Sequence, residues 1–138
     1  MRKVTETLWV GNAFEARDMK GVSSAGIKAI VDLAVDESPI EPLRDLICVR
    51  IPLIDWAGNS DHLLRMAIST VSTLLATKVP TLVACSGGMS RAPVIAAAAM
   101  RHASRTSLTR QLNLIARSGP CDVSPTLLSD VRNIIGDD

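Results

Sequence analysis

Within the segment VACSGGMSRAP, residues 83 to 93, a cysteine (Cys85) and an arginine (Arg91) flank a Gly-Gly pair. A cysteine thiolate is a strong nucleophile, and a guanidinium is a planar fork of donors that matches phosphate oxygens. The segment lies between an apolar run, TLVA, and an alanine-rich one, RAPVIAAAAMRHA, so it reads as the loop joining a buried strand to a helix. In such a loop the backbone N–H groups of Ser86, Gly87, Gly88, Met89, Ser90 and Arg91 can converge on a tetrahedral dianion, aided by the helix dipole. The same field favours the thiolate over the thiol, whose ordinary pKa is about 8.5. Cys and Arg at this separation also occur by chance, and a strand-end cysteine beside a surface arginine is the plainer alternative. What carries the functional reading is the strand, glycine curl and helix around the pair. At the same offset, Cys48 and Cys121 have only Ile54 and Leu127.

A thiolate attacking a phosphomonoester needs a partner acid, because the departing oxygen must be protonated as the P–O bond breaks. His62 and His102 are both distant from the loop in sequence. Asp55 follows the strand-like run ICVRIPLI, and a parallel sheet gathers the carboxyl ends of its strands at one edge, where Cys85 also falls. A solvated turn residue or helix cap is the alternative for Asp55. Asp61 is the rival acid, but a place in the first turn of a helix explains it through the dipole. Asp36 and Glu37, which follow an earlier strand, read as loop charges.

These residues need a scaffold that brings strand ends together, and the rest of the chain supplies the pattern. TLWVG and IKAIVDLA read as strands. Asn12 caps a helix over AFEARDMKGVSSA that Gly26 ends, and the proline-bearing DESPIEPLRD reads as a loop. Leu63, Leu64, Ala67, Ile68, Val71, Leu74 and Leu75 recur at helical spacing behind a Ser60 cap. Two further helices follow, one from Ser107 to about Ser118 and one opened by Ser124 and Pro125. Alternating strands and helices imply an α/β fold, a central mostly parallel sheet of about four to five strands with helices on both faces. A length of 138 residues with 47% hydrophobic content implies one domain over residues 1–138. A net charge of +1 offers no general attraction to nucleic acid or membrane, so anion binding must be local. Three cysteines and no apolar leader imply reduced thiols in a soluble cytoplasmic protein, and the usual zinc spacings are absent. With one Phe, two Trp and no Tyr, the core is aliphatic. At least two of Trp9, Phe14 and Trp56 are expected to pack in it.

The combination resembles the cysteine-dependent protein phosphatase superfamily, and within it the small dual-specificity phosphatases. TETLWVGNAFEARDMKGVSSAGIKAIVDLA is similar to that family's opening, IPLIDW to its Pro-x-x-Asp segment, CSGGMSR to its signature loop and DVSPTLL to its late Ser-Pro segment. The separation of Asp55 and Cys85 also matches the family's spacing of acid and nucleophile. The resemblance implies two-step hydrolysis without metal or organic cofactor: Cys85 attacks phosphorus, Arg91 and the loop hold the phosphoryl oxygens, and Asp55 serves as acid and then as base. Substrates would be phosphorylated proteins or small phosphomonoesters, and the lack of Lys or Arg between Ser86 and Ser90 disfavours polyphosphorylated headgroups. Three positions depart from the family pattern. Ala84 stands where His usually precedes the nucleophile, Ala92 where a hydroxyl usually follows the arginine, and Thr126 where Asn is common. The alternatives are a pseudophosphatase that binds phosphorylated partners without turnover, and redox or sulfur-transfer chemistry at Cys85.

Overall fold

Strands buried on both faces must be apolar nearly throughout, and the central strands of this chain meet that condition. The computed structural model, which describes residues 1–136, makes β3 (Ala29–Ala34) and β5 (Thr81–Ala84) buried at every position. They lie beside each other in a five-stranded sheet with β1 (Arg2–Thr5), β2 (Leu8–Gly11) and β4 (Ile47–Leu53), in the order β1-β2-β5-β3-β4. β2, β5, β3 and β4 run parallel; β1 alone is antiparallel, paired to β2 with an irregularity between Lys3 and Thr5. The expected architecture is therefore the observed one, with β1 as an unanticipated edge strand.

Helices cover both faces. On one, α1 (Ala13–Arg17) and α2 (Met19–Ser24) bury Ala16 and Val22 against Trp9, Ile30, Leu82 and Ala84. On the other lie α3 (Asp61–Ala76), α4 (Arg91–Ser104), α5 (Leu108–Ser118) and α6 (Pro125–Ile135). Their core contributions include Leu64 and Val71 from α3, Ile95 from α4, Ile115 from α5 and Val131 from α6, against Val10, Val31 and Val83 of the sheet. Ala96 to Ala99 are all buried, so α4 approaches its neighbours closely.

Several local expectations are revised. The helix anticipated over 13–25 is two helices, because Asp18 adopts φ −81° and ψ 84°, leaves the helical path, and caps α2 by accepting from Gly21 N–H. Asn12 does cap α1, in a reciprocal box with Glu15. Ser60 and Ser124 hold the N-cap positions of α3 and α6 without a side-chain cap bond, and the Ser60 hydroxyl lies 3.3 Å from His62 Nε2. Only Leu64, Ala67 and Val71 of the α3 stripe are fully buried. Among the aromatic residues only Trp9 packs in the core, while Phe14 and Trp56 are exposed. No described helix is long and apolar enough to cross a membrane.

Candidate active site

Four parallel strands end at one edge, and the residue runs that follow them make the site. β5 is central, and Cys85 follows it directly, with its N–H on Gly11 O of β2 at 3.3 Å. The turn from Cys85 to Ser90 then feeds α4, whose first residue is Arg91. Gly88 holds φ +73°, and a Cβ there would lie 2.9 Å from the carbonyl carbon and oxygen of Gly11, so this position requires glycine on two counts. Gly87 is different: its φ is outside the left-handed region and a Cβ would meet nothing within 4 Å. The curl attributed to a Gly-Gly pair thus depends on one of the two.

The orientation of the loop follows from its carbonyls. Ser86 O accepts from Ala13 N–H at 3.1 Å, Gly88 O from Arg2 Nη2 at 3.1 Å, and Met89 O from Asp122 N–H at 2.8 Å. In a trans peptide the following N–H points the opposite way, and no peptide bond among the described residues is cis. The N–H groups of Gly87, Met89 and Ser90 therefore face the inner side of the loop, where none has an acceptor among the described residues. Ser90 is half of a second brace, its hydroxyl accepting from Ser124 N–H at 2.9 Å.

Asp55, Cys85, Gly87, Met89, Ser90, Arg91 and Asp122 line a common cavity of about 180 Å³. Cys85 is 2% exposed, and its Sγ accepts from Ala92 N–H at 3.4 Å. Arg91 is 5% exposed; Nη1 donates to Leu53 O at the end of β4 and to Asp36 Oδ1, each at 2.8 Å, while Nε has no partner. Asp55 Oδ1 is likewise buried without a partner. Two buried polar atoms left unpaired on one cavity are costly, which marks the cavity as a place for a polar ligand. Burial alone would lower the pKa of Arg91, but the Asp36 bond and the nearby Cys85 and Asp55 outweigh it, so the guanidinium is held charged.

The structure brings together Cys85, Arg91 and Asp55, the three residues singled out from the sequence. Two acids read as loop charges are also here. Asp36 bonds Arg91, and its Oδ2 lies 2.7 Å from Ser86 Oγ, while Glu37 Oε2 lies 2.9 Å from the same hydroxyl. The Arg91 bond holds the Asp36 carboxyl well down, at about 2. Both acids follow β3 as Asp55 follows β4, so the strand-end argument that selected Asp55 applied equally to them. Ala84 is buried in the α1–α2 side core, and Ala92, whose N–H reaches the sulfur, carries a methyl and no hydroxyl. Thr126 lies within α6, its hydroxyl 3.2 Å from that of Ser124. Asp61 opens α3 and is absent from the cavity lining. Among the described residues no group of three or more His, Cys, Asp or Glu is placed to hold a metal ion.

No protein-family model matches the chain, and no curated protein does. Solved structures do. Human DUSP28 superposes with a TM-score of 0.87 at 18% identity, over 99% of this chain and 96% of that one. OH1 from the Orf virus, a tyrosine phosphatase with triple substrate specificity, gives 0.74 at 18% identity, over 99% and 87%. The human tyrosine phosphatase-like serine/threonine/tyrosine-interacting protein gives 0.81 at 13% identity, over 96% and 93%. From the central strand to the last helix, the chain has the fold of the small dual-specificity phosphatases.

Proposed function

We propose that the chain is a cysteine-dependent phosphomonoester hydrolase of the dual-specificity or tyrosine phosphatase kind, working through a phosphocysteine. The observation that carries this reading is the convergence on one cavity of Cys85 Sγ, the guanidinium of Arg91, inward N–H groups and an unpaired oxygen of Asp55. Cys85 sulfur attacks phosphorus in line as the P–O bond to the leaving group breaks. Arg91 and the N–H groups of residues 86–91 take the equatorial oxygens, where charge accumulates. Asp55 gives its proton to the departing oxygen. In the second step Asp55, now a carboxylate, takes a proton from water as that water attacks phosphorus and the S–P bond breaks, releasing phosphate and the sulfur anion. Ala92 offers that anion its N–H but no hydroxyl, so breakdown of the phosphocysteine is the slower step. The described cysteines are all unpaired, which fits a reducing cytoplasm.

Hydrolysis of p-nitrophenyl phosphate by the wild type, Cys85→Ser and Asp55→Asn tests the reading. Cys85→Ser should abolish turnover, and Asp55→Asn should lower it by about 10²–10⁴. Equal rates in all three would remove it. A pseudophosphatase that binds phosphorylated partners is the second reading, favoured by the missing hydroxyl at Ala92 and by the engagement of Arg91 with Asp36. Tight binding of a phosphopeptide with no wild-type turnover would select it.

A further inference from the structure

The rim of the cavity carries more negative than positive charge. Arg91 is the single cation that lines it, against Asp55 and Asp122 on the lining and Asp36 and Glu37 at the Ser86 side. Asp36 spans the donors that phosphate would use: Oδ1 is 2.8 Å from Arg91 Nη1, and Oδ2 is 3.5 Å from Nη2 and 2.7 Å from Ser86 Oγ. Ser86 has one proton and two carboxylates within reach, so it can satisfy only one of them at a time. A phosphoryl group that takes the Nη donors of Arg91 displaces Asp36 from them, and the question is where the displaced carboxylate goes.

It cannot go far, because the backbone beneath it is pinned. Arg50 Nη2 donates to Glu37 O at 2.9 Å and to Val35 O at 3.4 Å, and Arg17 Nη2 donates to Ser38 O. Both arginines are anchored on Asp32, which is 1% exposed and lies 3.2 Å from Arg50 Nη1 and 3.5 Å from Arg17 Nη2. Asp32 Oδ1 also accepts from Ala34 N–H at 3.1 Å. A buried carboxylate, two guanidiniums and three loop carbonyls thus hold residues 35–38 at the edge of the cavity. The Asp36 side chain, which is 55% exposed, can leave Arg91 by rotation of the side chain alone.

We infer, resting on the phosphatase reading, that Asp36, backed by Glu37, is a specificity-determining residue that selects phosphopeptides with Lys or Arg beside the phosphorylated residue and disfavours acidic flanks. Neighbouring residues of an extended peptide lie about 3.4 Å apart along the chain, so a basic side chain next to the phosphoresidue reaches the displaced carboxylate. Such a cation is attracted to Asp36 and Glu37 as phosphate claims Arg91. An acidic flank meets the same carboxylates with nothing to neutralise it.

The experiment is binding of two fluorescein-labelled phosphopeptides, identical except for arginines or glutamates flanking the phosphoresidue, to Cys85→Ser, Cys85→Ser/Asp36→Asn and Cys85→Ser/Asp36→Lys proteins. Thermal unfolding of each serves as the folding control. At low ionic strength the Arg-flanked peptide should bind the single variant at least about fivefold more tightly, with the ratio shrinking on added salt. The ratio should fall toward unity with Asn and invert with Lys. Equal affinities for the two peptides, a ratio unmoved by either substitution, or no binding of either peptide overturns the inference. Because the readout is binding, these results are separate from p-nitrophenyl phosphate turnover. Turnover without flank preference sinks this inference alone, and flank preference without turnover sinks the hydrolase reading alone.

Discussion

Gly88→Ala tests whether the loop owes its shape to one backbone position. The left-handed conformation at φ +73° costs an alanine about 1–2 kcal/mol. The new Cβ would also lie 2.9 Å from Gly11 C and O and 3.1 Å from Asn12 N. Those are backbone atoms at the end of β2 and the cap of α1, unable to swing aside like the tip of a side chain, and overpacking of this kind costs about 1–3 kcal/mol more. The total of about 2–5 kcal/mol corresponds to a fall in Tm of about 6–15 °C for a chain of this size. Gly87→Ala is the matched comparison for stability, since its Cβ enters open space, and its change should stay within about 0.5 kcal/mol. Urea unfolding of both variants, with and without inorganic phosphate, reads the result. If the clash is relieved by moving the loop off Gly11, part of the cost appears instead as lost stabilisation by phosphate, because the cradle no longer matches its ligand. A Gly88→Ala protein that unfolds at the wild-type midpoint and is stabilised by phosphate as the wild type is would refute the reasoning.

Asp36 has a folded pKa of about 2, below its ordinary 3.8, so its bond with Arg91 adds stability above about pH 4 that is lost as the pH falls toward 2. The carboxylate is exposed, so the gap in unfolding free energy between wild type and Asp36→Asn should stay under about 1 kcal/mol and close across that window in acid melts. Asp32→Asn removes the buried charge that holds Arg17 and Arg50, and it should cost about 1.5–3 kcal/mol in urea unfolding. The same change should increase hydrogen exchange over residues 35–38; unchanged protection there would show that the two arginines hold the loop without it. Ala92→Ser adds a hydroxyl next to the sulfur, and rapid-quench measurement should find the phosphocysteine breaking down faster; an unchanged second step would exclude residue 92 as its limit. Burial, with a smaller contribution from Asp32, raises the Cys48 thiol above its ordinary pKa, so alkylation of Cys48 by iodoacetamide at pH 7 should be slower than that of a free cysteine.

How far the sequence reveals this site depends on the range of the forces involved. The central strands were legible because burial on both faces demands apolar runs, and Cys85 and Arg91 were legible because a strand, a glycine and a helix follow one another along the chain. β1 was not, since RKVT alternates partly buried with exposed positions and owes its strand form to pairing with β2. The break at Asp18 was equally hidden: aspartate is favoured at a cap, but the modest cost of one in an exposed helix interior is too small to end a helix by itself, so packing decides between them. Phe14 and Trp56 misled for a related reason, because hydrophobicity says that burial is favourable without saying that the fold provides a place for it. Asp36 is the instructive case. Local reading assigns a carboxylate after a strand to solvent, since ionised groups are cheapest there. Yet β3 lies next to β5, so the turn after β3 opens beside the turn after β5 whatever its composition. Once the strand order is known, a charge in that turn faces Arg91. The order comes from crossover connections, which leave no mark in the few residues on either side. The acids that shape this cavity were therefore visible as residues from the start and acquired meaning only with the topology.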